Sequence, residues 1–172
     1  MGGIFGTTGF SLSEGIQYGS GREEPTIICF RCGECCIKYQ VRLSLIEAWR
    51  VVDYLGLAFD EWLDVYVDKD WRSTESFVLR QRDGACVFLK PAEASKKTSC
   101  LIHHVKPSAC REWIPSLFRR ECREGLSRYW GLTVSSLGQL EGAEEKLRDF
   151  YSFLKSPTFV DNVRADRAVC AV

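Results

Sequence analysis

Eight of the nine cysteines in this 172-residue chain form an ordered series: Cys29, Cys32, Cys35 and Cys36, then Cys86, Cys100, Cys110 and Cys122. The first four make the run Cys-Phe-Arg-Cys-Gly-Glu-Cys-Cys. Its x2 spacing lets two thiolates turn onto one ion, while Gly33 relieves the tight backbone between them. Cysteine also packs well as a small hydrophobe. Scattered core packing does not explain adjacent Cys35 and Cys36, whose side chains point in different directions. The pair feeds two metals, or one metal plus a packing contact. The predicted chemistry is therefore that of thiolates gathered on metal, not of a disulfide scaffold. Cys170, near the C-terminus, is expected to be a free thiol on a loose tail.

The spacing leaves the metal open. Structural zinc sites commonly use two Cys-x2-Cys knuckles per ion, whereas here one dense knot is followed by four cysteines arriving singly. The overlapping Cys-x2-Cys-x2-Cys run is also the kind of spacing that wraps an iron–sulfur cluster. Ligand type favours an iron–sulfur cluster, with zinc as the alternative. Eight thiolates can serve two four-cysteine sites or one larger cluster, and either leaves negative charge to be offset. Arg111, immediately after Cys110, is the cation best placed to do so.

Several elements must position these residues. Ser44 with Glu47 makes a capping box, and Leu45, Ile46, Trp49, Val52 and Leu55 supply a helical stripe ending at Gly56. A second helix is predicted from about Asp60. Between roughly residues 75 and 90, Asp83-Gly84 marks a short hairpin with a primed turn, placing Cys86 just past it. Residues 90–99 read as a polar turn, and Pro107 can open a helix that carries Cys110. Leu137, Leu140, Ala143, Leu147, Phe150, Tyr151 and Leu154 predict an amphipathic helix over 137–155, stopped by Pro157 and packed on its own domain.

Composition excludes several classes. Basic and acidic residues number 23 each, so the chain lacks the positive footprint of a nucleic-acid binder. No apolar run reaches membrane-spanning length and no secretory leader is evident, so a reducing cytoplasm that keeps thiols free for metal is expected. P-loop, dinucleotide, nucleophile-elbow and zinc-protease signatures are lacking, which leaves enzymatic activity undecided.

The cysteine series carries further context. Asp83-Gly84-Ala85-Cys86-Val87-Phe88-Leu89 follows the first knot. Cys100-Leu-Ile-His-His-Val-Lys-Pro107-Ser-Ala-Cys110-Arg111-Glu-Trp-Ile-Pro115 and Glu121-Cys122 come next. Over about residues 29 to 132 this resembles the CxxCxxCC cysteine-cluster family, the YkgJ-type zinc- or iron-chelating domain. The resemblance implies a cysteine-ligated metal centre. Three departures stand out: His103 occupies a place where the family usually has Tyr, Lys106 one where it has Arg, and Trp113-Ile114 one where a Phe precedes proline. Lys106 forgoes a bidentate fork. His103 is expected beside the cluster, hydrogen-bonded through a ring nitrogen, and not as a ligand.

The expected fold is mainly α with a short β-hairpin and irregular cysteine-rich metal-binding loops, a small α+β protein. Residues 1–21 form a Gly-rich flexible arm, 22–132 the cysteine-cluster domain, and 133–172 a C-terminal helix and tail packed on it. The expected function is to hold an iron–sulfur cluster for electron transfer or redox sensing. The alternatives are a zinc-stabilised interaction module and a metal-dependent enzyme or metallation accessory. The C-terminal helix and the Gly-rich arm are the surfaces open to a protein partner.

Overall fold

The computed structural model describes residues 16–17, 26–90 and 98–156. Within the Gly-rich arm, β1 (Ile16–Gln17) pairs antiparallel with β2 (Thr26–Ile27). The rest of the arm, Cys170 and the tail beyond Ser156 lie outside the described residues. After β2 the chain passes Cys29 and Cys32 and enters α1 (Glu34–Lys38), a helix of 5 residues that carries Cys35 and Cys36.

β3 (Arg42–Ser44) leads directly into α2 (Leu45–Leu55), which starts at the predicted capping box and ends on Gly56. The Ser44 backbone N–H donates to Glu47 Oε2 at 2.9 Å, and the Glu47 N–H donates to Ser44 Oγ at 3.4 Å. The buried face of α2 is Ala48, Val51 and Val52. Ile46 and Trp49, assigned by sequence to the apolar stripe, stay 68% and 53% exposed. The small Ala48 allows close packing where the larger residues would not fit, and Trp49 instead stacks on Phe59 at 4.5 Å between ring centroids. α3 (Phe59–Tyr66) buries Trp62 against the same side.

β4 (Ser76–Val78) pairs with β3 and not with the strand that follows it. The predicted hairpin is therefore shorter: β5 (Gln81–Arg82) pairs with β6 (Ala85–Cys86) through Asp83 and Gly84, both at positive φ as a mirror-image turn requires. β7 (Leu89–Lys90) pairs with β8 (Ser99–Cys100). A 3-10 turn (His103–Val105) and α4 (Ser108–Arg111) follow, the latter just after Pro107 as expected.

α5 (Arg120–Trp130) was not anticipated from the sequence. Its charged residues hide a buried row of Cys122, Leu126 and Trp130 at four-residue steps. The C-terminal helix is also shorter than predicted. Leu140 lies in a hairpin of β9 (Thr133–Val134) and β10 (Leu140–Glu141), Leu137 sits 76% exposed near its tip, and α6 (Glu144–Lys155) begins only after Gly142.

The interior has two parts. Ile27, Phe30, Cys32, Leu117, Cys122, Leu126, Trp130, Phe150 and Leu154 belong to one core, so α6 packs on α5 and on the segment before α1. Leu43, Val51, Val52, Trp62, Phe77, Phe88 and Ile102 form the other, with Cys86, Cys100 and Cys110 packed against it. Truncating a ring such as Phe150 or Trp62 to Ala is worth about 3–5 kcal/mol. α1 lies between these cores and contacts both α5 and β6. Among the described residues, small antiparallel pairs and six α-helices make this a small α+β fold.

Candidate metal centre

All eight predicted cysteines line one cavity of about 370 Å³. Only Cys29 and Cys32 lie between regular elements. Cys86 from β6 and Cys110 from α4 stand on the hairpin and the helix expected for them, while Cys35 and Cys36 come from α1, Cys100 from β8 and Cys122 from α5, where irregular cysteine-rich loops are expected from the sequence. Every one is a free thiol. The sulfurs ring the cavity and do not close on a point: among the described residues, no three His, Cys, Asp or Glu side chains form a set that holds an ion as they stand.

Long-range contacts hold the first knot in shape. Arg31 takes a left-handed φ of 53°, and its carbonyl accepts from both Thr98 N at 2.9 Å and Thr98 Oγ1 at 2.8 Å. Gly33, also left-handed at φ 82°, faces the same threonine: a Cβ there would lie 2.9 Å from Thr98 Cγ2. On the opposite side, Gly125 of α5 lets Cys32 rest directly on the helix backbone. A Cβ at Gly125 would lie 2.5 Å from Cys32 Sγ and 2.7 Å from its Cβ. Gly125 has no unusual backbone, so space alone explains the glycine.

α1 is tied to α5 by three polar contacts. Lys38 pairs with Glu124. Tyr39 donates to Glu121 Oε1 at 2.7 Å. Arg128 Nη1 stands 2.6 Å from Glu34 Oε1, an ion pair although out of line for a hydrogen bond, and Glu34 is 1% exposed. At the other end of the site, Glu47 Oε1 accepts from Ser108 N at 2.7 Å, so the carboxylate that caps α2 also caps the helix of Cys110. Burial pushes the Glu47 carboxyl up, but the Ser108 and Ser44 hydrogen bonds outweigh it and hold the group down at about 2.

The electrostatics of the sulfurs follow from packing. Burial pushes Cys32 and Cys110 up to about 12 and Cys122 up to about 11, and it raises Cys29, Cys86 and Cys100 as well. Cys35 differs. Its sulfur lies 4.0 Å from that of Cys36, whose hydrogen bond outweighs burial and lowers Cys35 to about 7, while Cys36 is raised. At four sulfurs the backbone N–H two residues on opposes the effect of burial: Arg31 for Cys29, Glu34 for Cys32, Phe88 for Cys86 and Ile102 for Cys100. Such N–H donors favour the thiolate, the form that binds metal.

Cations and one acid complete the lining. Arg31 and Lys106 both act on Cys29 and on Cys100, favouring their charged forms. His103 lines the cavity with its Nε2 at 2.6 Å from Arg31 Nη2. Arg111 also lines the cavity and donates to the Lys106 carbonyl at 3.0 Å. Sequence reasoning overlooked Arg31, Thr98, Glu121 and Gly125. Arg31 lies inside the Cys29–Cys32 loop and Glu121 beside Cys122, so adjacency to cysteine was the available signal; Thr98 and Gly125 gave none.

Eight soft sulfur donors, with N–H groups and cations arranged to support their ionised forms, fit a thiophilic metal group. No helix among the described residues is long and apolar enough to cross a membrane. No curated protein and no solved structure matches the chain. The family model described as "CxxCxxCC: Putative zinc- or iron-chelating domain" matches residues 28–124, a span that includes all eight cavity cysteines. The match covers more than half of the sequence, and the chain belongs to this family.

Proposed function

We propose that this protein holds an iron–sulfur centre on its eight cavity thiols and serves in electron transfer or redox sensing. The observation that carries this reading is the cavity itself. Its volume of about 370 Å³ is ringed by sulfur from six parts of the chain, room for a group larger than one tetrahedrally ligated ion. Such a centre, when bound, supplies one-electron chemistry. The chain contributes the thiolates, the N–H donors at Cys29, Cys32, Cys86 and Cys100, and the Arg31 and Lys106 charges that offset electron density on sulfur. The flanking apolar residues Val41, Leu79, Leu89 and Ile102 limit water at the cavity wall.

Zinc is the second reading, supported by one feature: the turns at Cys29 and Cys32 direct backbone N–H groups at sulfur, as a zinc knuckle also needs. The two are separated by purifying the protein without oxygen and measuring iron, zinc and acid-labile sulfide together with the optical spectrum. Iron with sulfide, and a colour that bleaches on reduction, supports the first reading. A colourless, zinc-loaded protein without sulfide overturns it in favour of the second.

A further inference from the structure

The cysteines are distributed between two cores, and the distribution has a repeated composition. Against the core of Phe30, Leu126 and Phe150 lie Cys32 and Cys122, with Cys29 three residues before Cys32 on the same segment. Against the core of Leu43, Trp62 and Phe88 pack Cys86, Cys100 and Cys110. In the first group Cys29 and Cys32 receive backbone N–H groups from two residues on; in the second, Cys86 and Cys100 do. The third member of each group, Cys122 or Cys110, is the third residue of a helix, α5 or α4. Each group therefore presents to the cavity two sulfurs that accept a backbone N–H from two residues on and one helix sulfur, one short of the four that a tetrathiolate centre takes.

The missing sulfurs stand between the cores. α1 touches α5 on one side and β6 on the other. Consecutive residues of a helix project about 100° apart, so neighbouring Cys35 and Cys36 leave α1 toward different sides. Their sulfurs are 4.0 Å apart. Glu34 and Lys38 of α1 pair with Arg128 and Glu124 of α5, so Cys36, two positions from each, lies on the side of the helix away from α5, whereas Cys35 lies nearer to it.

We propose that the cavity holds two four-thiolate centres, one on Cys29, Cys32, Cys35 and Cys122 and the other on Cys36, Cys86, Cys100 and Cys110. The proposal rests on the thiolate–metal reading above. It adds that the vicinal pair divides between the two centres, which places them side by side with only the α1 backbone and the two adjacent sulfurs between them. The arrangement lets either centre alter the electrostatics of the other, because the Cys35 and Cys36 sulfurs lie 4.0 Å apart. The ligand class is a thiophilic metal with four-sulfur coordination: a divalent ion such as zinc, or the iron of a cluster.

The test uses the full chain, stripped of metal without oxygen and titrated with zinc ions as the probe under native mass spectrometry. Three proteins are compared: wild type, the double variant Cys32→Ser/Cys122→Ser and the double variant Cys86→Ser/Cys110→Ser. The expected result is two zinc ions in wild type and one in each double variant. Alkylation of the loaded variants should then spare the intact set of four and modify the remaining thiols of the broken one. A wild type that takes one ion, or more than two, overturns the partition; so does complete metal loss in both variants. Wild-type stoichiometry decides the matter even where a variant fails to fold. A wild type that binds no zinc and takes up no iron with sulfide refutes the thiolate–metal reading itself.

Discussion

Replacing Gly125 with Ala tests whether the first cysteine knot is positioned by direct contact with α5. The added methyl would lie 2.5 Å from Cys32 Sγ, 2.7 Å from Cys32 Cβ and 3.2 Å from Phe30 Cε2. None of these neighbours is the loose end of a long side chain, because Phe30 is 2% exposed and packs edge-on against Phe150 with ring centroids 5.6 Å apart. Overpacking of this kind costs about 1–3 kcal/mol. Alanine in a helix interior returns about 1 kcal/mol relative to glycine. The net expectation for the metal-free protein is therefore a loss of about 0–2 kcal/mol, read as a lower urea midpoint with unchanged slope. Metal binding should suffer more than folding, since relief of the clash moves Cys32 itself. We expect the affinity for zinc, measured by competition with a chelator, to fall by about tenfold or more, equivalent to about 1.4 kcal/mol. A variant with unaltered metal affinity and a raised urea midpoint would show that Cys32 does not rest on the helix as described.

Four further outcomes are expected. Thr98→Val keeps the backbone bond to Arg31 but removes the hydroxyl one, so it should cost about 1 kcal/mol in urea unfolding and speed metal release to a chelator; unchanged release rates would argue against the clamp. Glu47→Gln should weaken the caps of both α2 and α4 by about 1 kcal/mol in total thermal stability. Because the wild-type carboxyl is lowered, its contribution is present above the ordinary carboxylate pKa and lost as pH falls toward about 2, so the gap between wild type and Glu47→Gln should narrow in acid; a gap that widens there would contradict this. In metal-free protein, alkylation followed by peptide mapping should find Cys35 reacting with a midpoint near pH 7, whereas Cys32, Cys110 and Cys122 require strongly alkaline pH. Those three raised thiols favour the protonated folded state, so metal-free stability should be intact below about pH 9 and decline above it; stability that rises there would have the wrong sign. Finally, Cys35→Ser should lower metal content far more than Cys170→Ser, and hydrogen exchange on metal removal should rise around Cys32, Cys35 and Cys110 more than in α6, whose Phe150 and Leu154 depend on apolar burial. Equal metal loss in the two variants would remove the distinction.

What the sequence disclosed was mostly local. Ser44 and Glu47 fixed the start of α2 because a capping box acts over three residues, and Asp83-Gly84 located a turn because both residues tolerate positive φ. The partners of those elements were not legible. β4 pairs with β3 across an intervening pair of helices, a choice made by burial of Leu43 and Phe77 in a common core and not by the adjacent turn. The buried face of α2 differs from the stripe that helical spacing suggests, because the small Ala48 takes the close contact together with Val51 and Val52 while Leu45, Ile46 and Trp49 stay exposed. α5 was missed because Arg and Glu dominate it, although Cys122, Leu126 and Trp130 recur on one side ahead of a glycine terminator. The start of α6 was placed too early because Leu137 and Leu140 continued its apolar spacing by chance, within a hairpin interrupted by Gly138 and Gly142.

The candidate site shows the same division between short and long range. Cysteine type and spacing singled out all eight lining sulfurs, and His103 and Arg111 stand on the same wall. The contacts that hold these groups in place connect distant parts of the chain: Thr98 with Arg31, Gly125 with Cys32, Glu47 with Ser108, and Tyr39 with Glu121. Each is an ordinary residue whose role exists only once the two cores bring it to its partner.

X-ray absorption at the metal edge of protein purified without oxygen measures the donor atoms directly. The account predicts a first shell of sulfur alone, lost when Cys35 and Cys36 are both replaced by Ser. A shell dominated by nitrogen or oxygen, or a metal retained unchanged in that variant, would contradict the claim that the cavity thiols hold it.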